Sequence, residues 1–210
     1  MYDLSRFVSD SNKPTIICLL GIHTSGKTTI GKRLHSLGIP YYKEIGDELI
    51  KTVDFSSPEK VAWFDGEIMK RELQRDNTLF SVDSGMAVVE TWHIGNIAYA
   101  MIRTPAVARE YAARLKDQFT KCNAVHLFLD INEETFRQRA NLLVPLGIKE
   151  DVFVFYKNIE RNLLALLDEH NVEYHKIDAN QEVEKVVDDI KEVLTAHRVP
   201  IALERQAIKS

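Results

Sequence analysis

Gly21-Ile22-His23-Thr24-Ser25-Gly26-Lys27-Thr28 matches the pattern G-x-x-x-x-G-K-[ST] and directly follows the apolar run Ile16-Ile17-Cys18-Leu19-Leu20. A strand that ends in such a loop reads as the start of a P-loop. Glycine lets the chain bend until successive amide N–H groups point inward at phosphate oxygens, a lysine in this place reaches the β- and γ-phosphates, and the threonine hydroxyl can bind Mg²⁺. Behind the loop, Thr29 to Leu37 places apolar residues at Ile30, Leu34 and Leu37, which is helical spacing. The N-terminus of that helix adds partial positive charge toward the same phosphates. A nucleoside triphosphate, ATP, with Mg²⁺ is therefore the expected ligand, and Gly21, His23, Thr24, Ser25, Gly26, Lys27, Thr28 and Thr29 are its expected cradle.

Short apolar runs alternate with longer helical patterns along the rest of the chain, the mark of parallel strands joined by crossover helices. Strands are expected at about 15–20, 40–43, 86–90, 124–130 and 173–177. Helices are expected after the loop, from 58 to 75, in one or two pieces from 95 to 118, and at 133–140, 152–170 and 181–195. The fold class that follows is α/β, a three-layer P-loop sandwich around a five-stranded parallel sheet. With 210 residues, 45% of them hydrophobic and 28% charged, one domain suffices. Pro145 and Gly147 interrupt the helical pattern and suggest a short lid at about 137–151. The tail after Pro200 reads as a loosely attached end.

No apolar run reaches membrane-spanning length and residues 1–13 lack a greasy segment, so a cytoplasmic protein is expected. Cys18 and Cys122 lack a CxxC spacing and read as reduced core thiols. A net charge of −4 gives no general attraction to nucleic acid, so a polyphosphate must be held by a local basic pocket. The expected partner is a small molecule, a nucleotide or nucleoside acceptor; a homodimer is compatible with this reading.

In open parallel sheets ligands sit at the carboxyl ends of the strands. Three segments fall there: Lys43-Glu44-Ile45-Gly46-Asp47, Glu90-Thr91-Trp92-His93, and the stretch carrying Arg137 and Arg139. Glu90, at the tip of a strand beside the P-loop, is placed to hold Mg²⁺ together with Thr28, with Asp83 as the rival carboxylate. Glu44 is placed to orient an acceptor. Phosphoryl transfer needs positive charge beyond the P-loop lysine, which assigns catalytic roles to Lys27, Arg137 and Arg139, although the i, i+2 spacing of the two arginines points them apart on a regular helix and leaves a solvated reading open for one of them. Arg71 and Arg75, at i and i+4 beside Glu67 and Glu72, read either as an ion-paired face or as a substrate clamp. Trp92 and Tyr99 read as core aromatics or as base-stacking ones.

Taken together these residues resemble the thymidylate kinase group of P-loop nucleoside and nucleotide kinases, over about Pro14 to Leu194. Lys43-Glu44-Ile45-Gly46 is similar to the family's Arg-Glu-Pro-Gly segment, and Glu90-Thr91-Trp92 with Asn96-Ile97-Ala98-Tyr99 is similar to its Asp-Arg-Tyr and Ser-x-Ala-Tyr segments. Leu127 to Ile131 with Glu134, Arg137 and Arg139 resembles the strand leading to its lid. Tyr174 to Ala179 resembles its last strand and the loop beside the adenine, which implies that Asp178 and Ala179 contact ATP. The resemblance implies that Glu44, Arg71, Glu90, Trp92 and Asn96 face the acceptor. It also implies an ATP-dependent phosphotransferase acting on a nucleoside monophosphate. The chain departs from the family at His23, where an acidic residue that meets the acceptor's sugar is usual, and at Thr91, where an arginine is usual; the loss of that guanidinium weakens the grip on an acceptor phosphate. The P-loop followed by Glu44 to Glu48 also resembles ribosylnicotinamide-kinase-like domains, whose acceptor is an unphosphorylated nucleoside. A regulatory P-loop domain without transfer activity is the third reading. A GTPase is excluded by the lack of an Asn-Lys-x-Asp segment after a later strand.

Overall fold

The computed structural model describes residues 13–53, 55–81, 85–143, 150–197 and 199. Strand β1 (Thr15–Leu20) runs into the glycine loop and helix α1 (Lys27–Ser36); strand β2 (Tyr41–Tyr42) and the short helix α2 (Ile45–Leu49) follow. Helix α3 (Pro58–Phe80) leads to strand β3 (Met86–Glu90), then to helices α4 (Trp92–Arg103) and α5 (Pro105–Phe119). Strand β4 (Asn123–Asp130), helices α6 (Glu133–Leu143) and α7 (Glu150–Glu169), strand β5 (Tyr174–Asp178) and helix α8 (Val183–Ala196) complete the order.

The five strands form one sheet in the order β2-β3-β1-β4-β5, and every pairing is parallel. β1 is central, and its residues Ile16 to Leu20 are almost wholly buried, as a strand covered on both faces requires. One core cluster joins Ile16, Cys18 and Leu20 to α4, α5 and α7, and the other joins Ile17 and Leu19 to α1 and α8. Alternate residues of one strand thus feed two helical layers, so the three-layer α/β sandwich expected from the sequence is the fold observed. The stripe Val186, Val187, Ile190 and Leu194 of α8 lies in the second cluster. Both cysteines are free and buried, and burial pushes the thiols up, Cys122 to about 12. Among the described residues no helix is long and apolar enough to cross a membrane.

Three elements differ from the sequence reading. Residues 45–49 form a helix that the sequence reading did not assign, with Glu44 at the N-cap position and acidic Asp47 and Glu48 in the first turn favouring the helix N-terminus. α3 runs on to Phe80; it opens with Pro58 at its start and Ser57 as N-cap, whose side chain accepts the Lys60 N–H. Of the one or two pieces expected at 95–118 there are two, divided at Thr104-Pro105, and the first begins early, at Trp92. Proline at position 105 cannot extend α4 because it lacks an amide N–H, so it opens α5 instead. Of the suggested lid, 137–143 are the end of α6 and 150–151 open α7, while 144–149 lie outside the described residues, as do Asp83 and the tail from 200.

Candidate active site

The loop between β1 and α1 is shaped by backbone that only small residues tolerate. Gly21 has φ 137°, and a Cβ there would sit 2.7 Å from both the Leu129 carbonyl oxygen and Ser25 Oγ. Non-glycine Thr24 also takes a positive φ of 66°, local strain of the kind that gathers at ligand sites. The Lys27 ammonium donates to the carbonyl oxygens of Gly21 at 3.0 Å and Ile22 at 3.2 Å, so the loop wraps its own cation. The hydroxyls of Thr24 and Ser25 are buried with no hydrogen-bond partner among the described residues. An unmet buried hydroxyl costs about 1–3 kcal/mol, which marks this loop as built for something other than folding.

Beside the loop, at the end of β3, Glu90 is 1% exposed. Thr28 Oγ1 donates to its Oε2 at 3.2 Å and the Tyr41 hydroxyl donates to Oε1. Tyr41 reaches this point because Gly31 lets α1 lie against its ring; a Cβ at position 31 would fall 2.2 Å from the ring edge. Burial raises the Glu90 carboxyl above the ordinary carboxylate range, against the opposing pull of the Tyr41 hydrogen bond and the Lys27 charge. Next in the chain, Thr91 has φ 62° and Trp92 φ 41°, and the turn aims Thr91 Oγ1 at Glu44 Oε2, 2.6 Å away. Glu90 and Glu44, 46 positions apart in the chain, are thereby brought to one wall.

Arg139 approaches from α6. Its guanidinium donates to the carbonyl oxygens of Thr24 at 3.3 Å and Ala179 at 2.7 Å, bridging the glycine loop and the end of β5. These groups surround a cavity of about 550 Å³ lined by His23 to Ile30, Lys43, Glu44, Asp47, Glu90, Arg139, Ala179 and the start of α8. His23 stacks on Tyr156 of α7 with ring centroids 5.4 Å apart. Crowding by protein atoms, then the Lys27 charge, hold its imidazole below the ordinary histidine range.

Five residues expected at the site are not brought to it. Arg137, two positions from Arg139, points away, where it pairs with Glu133 at 2.6 Å and lies over the Phe153 ring. Arg71 is bound on the helix surface to Glu67 at 2.8 Å. Trp92 is fully buried, with its indole N–H on Asp76 Oδ1 at 3.0 Å, so it packs the core instead of stacking on a ligand. Asn96 is buried against Glu72, to which it donates at 2.9 Å. Asp178 ends β5, but its carboxylate caps Asn180, whose backbone N–H holds the acid below its ordinary value; Ala179 alone of that pair lines the cavity. Sequence reasoning did not mark Tyr41, which holds Glu90, or Gln181, which lines the cavity just ahead of α8. A tyrosine beside the strand-end Lys43-Glu44 was the available signal for the first, and nothing local marks the second.

Solved structures carry the same fold. The YorR protein from Bacillus subtilis, in complex with phosphorylated GDP, aligns with a TM-score of 0.59 at 17% identity over 87% of this chain and 97% of that one. Deoxyadenosine kinase from M. mycoides with bound dATP aligns at 0.61 and 15% identity, over 86% and 99%. Thymidylate kinase from Candida albicans aligns at 0.60 and 14% identity, over 90% and 95%. The chain has the P-loop α/β fold of these proteins. No protein-family model and no curated protein sequence matches it.

Proposed function

We propose that the chain is an ATP-dependent kinase that phosphorylates a hydroxyl of a nucleoside. One observation carries the reading: a single cavity is lined by the glycine loop with Lys27, by Arg139, and by the two carboxylates Glu44 and Glu90. The unpartnered Thr24 and Ser25 hydroxyls and the strained loop suit a polyphosphate, and Thr28 Oγ1 with Glu90 Oε2 is a hard-oxygen pair that suits Mg²⁺. Bound there, Mg²⁺ would neutralise charge on the phosphates. Loop N–H groups and Lys27 hold the triphosphate, and Arg139 adds positive charge where the γ-phosphoryl group moves. Glu44 accepts a hydrogen bond from the attacking hydroxyl. As the new O–P bond forms, the bond to the β-phosphate oxygen breaks, ADP leaves, and the hydroxyl proton passes to the carboxylate.

The sequence places a monophosphate acceptor first; the side-chain geometry favours an unphosphorylated one. In the cavity lining Lys43 is committed to Asp47, and outside it Arg71 is committed to Glu67, Arg75 to Glu72 and Arg103 to Asp65. A phosphate would have to displace one of these carboxylates to gain the bidentate contact it normally requires. A coupled ADP-release screen over nucleosides and nucleoside monophosphates tests both levels. Turnover with a nucleoside above that of any monophosphate is expected. Turnover with monophosphates alone overturns the acceptor, and no acceptor-dependent ADP overturns the kinase.

Arg139→Ala is expected to lower kcat by about 10²- to 10³-fold with a smaller change in ATP affinity, while Arg137→Ala changes either quantity less than about threefold. Steady-state kinetics of the two variants decide this. Glu90→Gln is expected to abolish Mg²⁺-dependent turnover yet raise the melting temperature of the metal-free protein at pH 7. The sign follows from the raised Glu90 carboxyl: folding favours its neutral form, so its stabilising contribution is present at low pH and lost as pH rises through the raised value. The gap between variant and wild type should therefore close as pH is lowered toward the ordinary 4.5, a trend that calorimetry in EDTA can follow.

A further inference from the structure

At the opposite end of β5 from the nucleotide cavity, three metal-ligating side chains converge that the proposed reaction does not use. Glu173 immediately precedes the strand, His175 is its second residue, and His197 is the C-cap of α8. One ligand atom from each lies within 4.8 Å of the others. The two imidazoles meet through their Nε2 atoms at 2.6 Å, with ring planes at 79°. Ala179, which lines the cavity, is four residues beyond His175, about 13 Å along an extended strand.

The placement is set by the core. β5 alternates its side chains, so His175 shares with Ile177 the face packed against Val186, Val187, Ile190 and Leu194 of α8. The His197 N–H bonds to the Val193 carbonyl at 3.1 Å and the Val199 N–H bonds to Leu194 at 3.0 Å, which fixes the backbone from which His197 reaches back to the strand. Two nitrogens aimed at each other share a single proton between them, and a cation can take its place.

We propose that Glu173, His175 and His197 form a site for a divalent transition metal of the zinc class. Two imidazoles and one carboxylate, with a water completing four ligands, are the donor set such an ion takes, whereas Mg²⁺ and Ca²⁺ select oxygen ligands. Tetrahedral bonding with Zn–N of about 2.0–2.1 Å sets the nitrogens about 3.3 Å apart, so the rings open by about 0.7 Å through a small side-chain rotation. Exposed Glu173 swings in without cost to the core. The ion would pin the end of α8 to the edge strand of the sheet, and binding would be read as added stability.

The test uses the full chain stripped with EDTA and titrated with zinc chloride without nucleotide, followed by calorimetry and by cobalt(II) absorption. One ion per chain is expected, with tetrahedral cobalt bands. At free zinc about 100-fold above the dissociation constant, the melting temperature should rise by about 5–10 °C. His175→Ala and His197→Ala should each weaken binding by about 100-fold or more, and Glu173→Gln by about 10-fold, with the thermal shift reduced to match. Glu173→Gln alters only an exposed carboxylate and carries the test should the histidine variants not fold. Wild-type protein that binds zinc no tighter than these variants, or that loses zinc through Glu90→Gln instead, overturns the assignment.

Discussion

Lys27→Ala is expected to leave a folded protein whose acceptor-dependent ADP release is at least about 10³-fold below wild type. The side chain is 7% exposed, and its ammonium is held by two loop carbonyls rather than by any carboxylate. Removing it therefore strands no buried counter-ion. The fold loses two hydrogen bonds at one loop, a cost of about 1–2 kcal/mol, while the sheet and both core clusters are untouched. The catalytic loss should be larger because, in the proposed reaction, the same ammonium would face charge that grows during transfer in the cavity that Arg139 and Glu90 also line. The fall should accordingly appear in kcat more than in ATP affinity. Circular dichroism establishes the fold and a coupled assay the rate; acceptor-dependent turnover within tenfold of wild type would remove Lys27 from the transition state.

What the sequence made legible is what lies close together in the chain. The cradle from Gly21 to Thr28 is eight consecutive residues, so its geometry is written in its own glycines and lysine. β1 and β3 are apolar runs, and β4 is one interrupted only by the buried His126, because both faces of a central parallel strand are covered; their ends were visible to within a residue. Glu90 was visible because a carboxylate ending such a run is out of place unless something uses it. Choices between near neighbours were not legible. Arg137 and Arg139 are two apart on one helix and face opposite ways; only the packing of α6 decides which meets the loop. Arg71 and Arg75 share a helical face, yet one remains on the surface while the other is drawn inward by Glu72 and the Lys43 carbonyl. Trp92 carried no local sign of its burial, because its partner Asp76 sits on α3, sixteen positions earlier.

Asp76→Ala is the substitution expected to cost the fold most, about 3–5 kcal/mol, or roughly 6–20 °C in melting temperature. This carboxylate is 1% exposed and takes both the Trp92 indole N–H at 3.0 Å and His93 Nε2 at 2.7 Å, while His93 Nδ1 meets the Tyr111 hydroxyl at 2.8 Å. Alanine leaves an indole N–H and an imidazole nitrogen buried without partners, and it leaves a void in the packing of α3 against α4. The same contacts hold Thr91 and Trp92 in their positive-φ turn, each at a strain of order 1–3 kcal/mol. Once the anchor is gone that turn can relax, and Thr91 then loses its hold on Glu44. The stability loss should therefore be accompanied by a fall in kcat/KM at temperatures where the protein remains folded. Asp76→Asn separates the causes: the amide oxygen still accepts from Trp92, and its NH₂ can donate to His93 if that ring carries its proton on Nδ1 and offers it to Tyr111. It should cost about 1–2 kcal/mol and retain most activity. Denaturant melts of both variants measure this, and an alanine variant within 1 kcal/mol of wild type would show that the turn is held by something other than Asp76.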